Sequence, residues 1–281
     1  MVQIEREIHV RNNAAESGNK IHSDDGARAM GFAKALVPGN AVYAHIEPVI
    51  TAAFGDDWWQ RGAAEVRFMS PAYEGETIVV TATDAPGRPG AVSLTAVAQS
   101  TGKTVAAGSA WLVEGDSPAP DASLYPLIPT PAEPVEFTED YALDSNGLGS
   151  LEVTFDEDAV TSYLDAISAD HAAYAGGVPS ALLARSYAAL MWGNVVRKGP
   201  SVHTSTAVRH YRRVERGETI SIRGRIDRLY GRRGNRFYVL DMAYVAEDGS
   251  VVMTMEHSAI YRLRPSRKTA DEAGSPAAGA A

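Results

Sequence analysis

One stretch of this chain occurs twice. Val66-Arg67 and Gly75-Glu76-Thr77-Ile78 return as Val208-Arg209 and Gly217-Glu218-Thr219-Ile220, each 142 positions on. Upstream, Val37-Pro38-Gly39 returns as Val178-Pro179-Ser180, 141 positions on, and downstream Gly102 with Val105 returns as Gly249 with Val252, 147 positions on. Solenoid repeats have periods of roughly 20–50 residues, so an offset this long means two copies of a domain-sized fold. Twin halves pack as an internal dimer, which places a site near their joint. Where the copies have diverged, comparison shows which half kept reactive side chains.

Each copy reads the same way. The first opens with an alternating strand at 3–10, then an irregular loop. Ser23 is placed to cap a short helix with Asp24 and Asp25 in its first turn, where the helix dipole favours acids. Pro38-Gly39 breaks the chain before a helix over 40–54, whose Val42, Ile46, Ile50 and Ala53 share one face. Four strands follow at 64–69, 77–83, 91–99 and 104–113. The second copy repeats the order: strand 151–155, helix 158–167, central helix 179–192, and strands 202–214, 219–228, 236–245 and 251–263. A long helix laid on a curled antiparallel sheet is an α+β pattern. The expected divisions are residues 1–115, a linker at 116–140, residues 141–264 and a disordered tail at 265–281. Six prolines between Glu114 and Glu139 argue against regular structure in the linker.

Composition excludes several classes of function. The chain has no cysteine, which removes disulfides, thiolate metal sites and cysteine nucleophiles and fits a cytoplasmic setting. Its start does not read as a signal peptide, and no apolar run approaches the roughly 20 residues that cross a bilayer. A net charge of −9 argues against nonspecific nucleic-acid binding. Ten arginines nevertheless fall between Arg209 and Arg236, against three acids. They read either as a solvated strand face with arginine stems over apolar surface or as a patch for a phosphorylated ligand. His203, His210 and His257 lack metal-ligand spacing, and no phosphate loop or serine elbow is present. Tyr43 and His45 on the central helix read as packing or pocket-lining residues, and Trp58-Trp59 as a hydrophobic plug.

The segment Glu16-Ser17-Gly18-Asn19-Lys20-Ile21-His22-Ser23-Asp24, followed by Ala27, Gly31-Phe32 and Leu36-Val37-Pro38-Gly39, resembles the MaoC-like (R)-specific enoyl-CoA hydratase family. That family carries a loop S-G-D-x-N-P-x-H-x-D, then A-x-x-x-G-F, then a glycine at the start of the central helix. The likeness is good over about residues 10–55. It implies a hotdog fold and, with two copies, the double-hotdog layout. It also implies a hydratase or dehydratase acting on an enoyl or 3-hydroxyacyl thioester, such as acyl-CoA, with no cofactor, no metal and a possible homodimer. By that resemblance Asn19 and His22 match the family asparagine and catalytic histidine. Asp24 matches the following acid, and Gly39 the helix-start glycine of the oxyanion site. The family's catalytic Asp, five before the histidine, falls on Ser17. Ser17 cannot serve as a carboxylate base, and Glu16 beside it is a replacement candidate as well as a plain exposed glutamate.

The chemistry has a clear demand. Hydration needs a base for water, a proton for the α carbon, and fixed donors for charge on the thioester oxygen. Arg209, Arg212 and Arg223 are candidates to hold CoA phosphates. The second copy keeps Asp170-His171 where the loop would lie, an alternative pair. An acyl-CoA thioesterase using Glu47, the one acid on the central helix, is a second reading. A non-catalytic acyl-binding protein is a third.

Overall fold

The computed structural model describes residues 1–14, 17–115, 117–144, 146–167, 171–174, 177–197 and 199–264. Glu16, Asp170 and the tail 265–281 lie outside the described residues. The first half contains β1 (Gln3–His9), α1 (Asp24–Ala29), α2 (Gly39–Phe54), α3 (Asp57–Arg61), β2 (Gly62–Phe68), β3 (Thr77–Asp84), β4 (Ala91–Ala98) and β5 (Thr104–Leu112). A connecting stretch holds β6 (Val135–Glu136) and α4 (Glu139–Asp144). The second half contains β7 (Leu151–Thr154), α5 (Glu157–Ala166), α6 (Ser180–Arg185), α7 (Tyr187–Asn194), β8 (Val195–Val196), β9 (Val202–His210), β10 (Thr219–Arg232), β11 (Asn235–Ala246) and β12 (Val251–Arg262).

Ten strands form one antiparallel sheet in the order β1-β3-β4-β5-β2-β9-β12-β11-β10-β7. The second five mirror the first five, strand for strand, as the duplicated sequence requires. The halves meet where β2 pairs with β9, and there Glu65 lies opposite Ala207. Those two positions are themselves 142 apart, so each is the other's counterpart and the local twofold axis runs through this pair. The repeated glycines make the same turn twice. Gly75 and Gly217 have φ of 74° and 90°, a region that costs other residues energy. Their amides donate to Val10 and Phe155 respectively.

Helix α2 lies on the sheet and buries nearly everything from Ala41 to Thr51. A helix this apolar on all sides belongs in a core. Trp58 and Trp59 of α3 are buried beside it and pack edge-on to His210. The layout is the double hotdog: two long-helix-on-sheet units sharing one sheet.

Two details differ from the expected elements. The second central helix is two segments, α6 and α7, joined at Ser186, whose hydroxyl bonds back to the Leu183 carbonyl. Such back-bonding bends a helix. The proline-rich stretch is not wholly irregular either. β6 pairs in parallel with β8, and Tyr125 donates to Asp241 at 2.9 Å, so this stretch is laid on the second half. Its prolines forbid a long ladder but leave room for a two-residue one. No helix among the described residues is long and apolar enough to cross a membrane.

Candidate active site

The start of α2 is the centre of the site. Pro38 is the N-cap and no side chain caps this end. The first amides of a helix have no partner within it, so Gly39 and Asn40 present N–H groups outward at the positive end of the dipole. Glycine is required at 39 because a Cβ there would sit 2.8 Å from Nδ1 of His203, which reaches in from the second half. The space beside its Cα belongs to an imidazole; its N–H direction is what remains.

The loop before α1 brings His22 to this end. Ser23 caps α1 through the Gly26 amide, as its sequence position suggests. His22 Nδ1 lies 2.7 Å from the Leu36 carbonyl oxygen. A carbonyl only accepts, so Nδ1 carries the proton and the neutral ring offers its Nε2 lone pair. Burial holds the ring's pKa below the ordinary value, against the opposing pull of the Leu36 bond. Asn19 reaches across to the second half. Its Nδ2 donates to the Ser201 carbonyl at 2.8 Å and its Oδ1 accepts from the Ser201 amide at 3.3 Å. It ties the loop to the second half, with His22 Nε2 3.4 Å from its amide nitrogen.

Two cavities adjoin at this point, and His22, Pro38, Tyr187 and Ser201 line both. The larger, about 500 Å³, is also walled by Ser17, Asn19, Asn40, Arg185, Trp192 and Arg197. The smaller, about 240 Å³, is apolar, with Phe32, Val42, Phe68 and Ile260 in its wall. Ser17 therefore faces the larger cavity, and its hydroxyl is buried without a hydrogen-bond partner among the described residues. No Asp or Glu appears among the described residues that line either cavity.

The equivalent place in the second half is closed. Glu47, fully buried on α2, lays its carboxylate across the start of α6. Its Oε1 accepts from the Ser180 amide at 2.7 Å and from the Ser180 hydroxyl, and its Oε2 accepts from the Ala181 amide at 3.1 Å. Burial pushes the carboxyl pKa up to about 7 despite these bonds. The offset of 141 that relates Gly39 to Ser180 carries Glu47 to Ala188, which lines the larger cavity. An alanine where the other half has a glutamate leaves open the place that Glu47 fills.

Several candidates from the sequence stand elsewhere. Asp24 is exposed and absent from both cavity walls; its carboxylate is held by the Ala35 amide at 2.8 Å and by Arg28. Arg209 donates to the Ser117 carbonyl, Arg212 pairs with Glu218, and Arg223 donates to Tyr125 and Ser221. None of the three lines either cavity. The arginine-rich strands are instead tied to carboxylates of the same sheet, Arg225 to Asp241 on the adjacent β11 and Arg228 to Glu256 on β12, one strand further on, among them. His171 pairs with Asp165 of α5 at 2.9 Å on the surface. The cavity arginines are Arg185, at the break between α6 and α7, and Arg197, just after β8, neither of which was picked out from the sequence. Arginine at the seam of an otherwise apolar helix was the available signal. Among the described residues no group of three His, Asp or Glu side chains is arranged to hold a metal ion.

Comparison with known proteins bears on the fold. No family model and no curated protein matches the chain. Solved structures do match. A protein from Chloroflexus aurantiacus J-10-fl, described as a MaoC domain protein dehydratase, has a TM-score of 0.62 at 16% identity, covering 94% of this chain and 95% of that one. A Mycobacterium tuberculosis protein described as having a double hotdog fold has a TM-score of 0.60 at 14% identity, over 92% and 95%. One from Lactobacillus plantarum, described as an oleoyl thioesterase, has a TM-score of 0.51 at 10% identity, over 94% and 98%. At these identities the likeness shows the double-hotdog fold.

Proposed function

We infer that this protein adds water to a 2-enoyl thioester, or removes it from the 3-hydroxyacyl form. The observation that carries this reading is a neutral imidazole beside an uncapped helix start, both facing one cavity. In the hydration direction, His22 Nε2 takes a proton from water as its oxygen bonds to the β carbon. The electron pair moves onto the thioester oxygen, and the Gly39 and Asn40 amides stabilise the charge. The protonated His22 then returns its proton to the α carbon, so water is consumed and the ring is regenerated. The second half supports the role given to those amides, because the matching pair at Ser180 and Ala181 holds a carboxylate. Ser17 Oγ is a second holder of the water, and Glu16 remains a proposed partner carboxylate. An acyl-CoA is the proposed carrier, with exposed Arg185 and Trp192 at the cavity margin to meet its phosphates and adenine.

The thioesterase alternative needs Glu47 to activate water, and the burial of that carboxylate against α6 weighs against it. One assay separates the readings. A panel of enoyl-CoA substrates is followed by loss of ultraviolet absorbance, with thiol release measured in parallel. Absorbance loss without thiol release is expected. Folded protein that turns over no chain length defeats the hydratase reading, and thiol release alone favours hydrolysis.

A further inference from the structure

Arg197 follows β8 and forms part of the wall of the larger cavity with Ser17, His22, Tyr187 and Ser201. Its Nη1 is buried and has no hydrogen-bond partner among the described residues. The side chain makes no ion pair among the described residues, whereas Arg212, Arg216, Arg225, Arg228 and Arg236 all pair with carboxylates. A guanidinium half removed from water and left without an anion is costly, and proteins do not usually leave one so. Burial holds the His257 pKa well below its ordinary value, with the Arg197 charge adding to that effect, and burial raises the Tyr187 pKa against the opposing pull of Arg197. Arg197 shares the wall of the larger cavity with Tyr187 and Ser201, which also line the smaller one. Nothing acidic among the described lining residues answers it.

We propose that Arg197 is an anion subsite of this cavity, taking a carboxylate or phosphate oxygen that the thioester ligand carries at a second point. The inference rests on the thioester reading and adds the charge of the ligand to it. A planar guanidinium suits either anion, since both accept two parallel N–H bonds. The two sources separate by experiment. Four ligands are titrated calorimetrically into wild type and Arg197→Met: succinyl-CoA, butyryl-CoA, and the succinyl and butyryl thioesters of pantetheine, which lack phosphate. If the anion is an acyl carboxylate, the variant binds both succinyl ligands at least tenfold more weakly and both butyryl ligands as before. If it is a carrier phosphate, both CoA ligands weaken tenfold and both pantetheine ligands are unchanged. Arg197→Lys keeps a charge and recovers part of either loss. The unliganded variant should melt no lower than wild type, because a charge without a partner stabilises nothing. Equal loss on all four ligands, no loss on any, or a marked fall in melting temperature overturns the proposal. Binding needs no turnover, so this result stands apart from failure of the hydratase assay.

Discussion

The starts of α2 and α6 are the same object met twice. Each follows Val-Pro, each has proline as its N-cap, and each turns its first two amides toward the opposite half. At α6 those amides and the Ser180 hydroxyl close on Glu47, and the region is solid. At α2 the helix begins with glycine, the opposing helix supplies Ala188 instead of a glutamate, and a cavity of about 500 Å³ lies alongside. Two identical subunits would have to change both sites together. Fusion lets one site be sealed while the other stays open, and the proposed function puts the chemistry at the open one.

The largest expected effect tests that division directly. His22→Ala should lower kcat/KM for an enoyl-CoA by about 10²–10⁴-fold, the usual range for a lost general acid–base group. Thioester affinity should be kept, and equal activity in the variant would move the chemistry elsewhere. Next is Glu47→Ala, which leaves the Ser180 and Ala181 donors buried without an acceptor. Each such group costs about 1–3 kcal/mol, so a large fall in denaturation midpoint is expected. Glu47→Gln should be milder and should leave turnover per folded molecule unchanged; loss of turnover there would exchange the roles of the halves.

Gly39→Ala should cost about 1–3 kcal/mol through the clash with His203. It should also lower kcat, because the His203 ring must shift at the helix start. Ser180→Gly, the reciprocal change, should lower stability without that kinetic effect. The smallest effect is on pH dependence. Burial pulls His203 and His210 from an ordinary 6.5 down to about 3, and His45 to about 4. Below 6.5 the unfolded chain binds protons that the folded one refuses, so stability is full above that value and falls as pH drops toward 3. Glu47 acts with the opposite sign. Its pKa is raised from 4.5 to about 7, so its contribution is present below 4.5 and lost as pH rises through 7. Melting temperature measured across this range should show the acid slope in wild type, and Glu47→Gln should remove the second component.

The sequence made the fold legible because turns recur as glycines at a fixed offset, and a positive φ leaves few other choices. His22 and Asn19 were legible for a related reason: their loop is short and its helix is capped in place. What escaped was everything that depends on pairing across the two halves. Asn19 meets Ser201, Gly39 meets His203, and Glu47 meets Ser180, contacts more than 130 positions apart that no local pattern encodes. The arginine cluster, read either as a solvated face or as a phosphate patch, hid its partners in the same way, since the carboxylates that pair with Arg225 and Arg228 arrive from strands β11 and β12. A run of one charge in sequence need not be a run of one charge in space.

The pairing of β2 with β9 has a mechanical corollary. Because five backbone pairs bridge the twin units, they cannot swing apart on a hinge to admit a guest. A chain nicked in the proline-rich tether should accordingly migrate as one particle, and should come apart only when it melts.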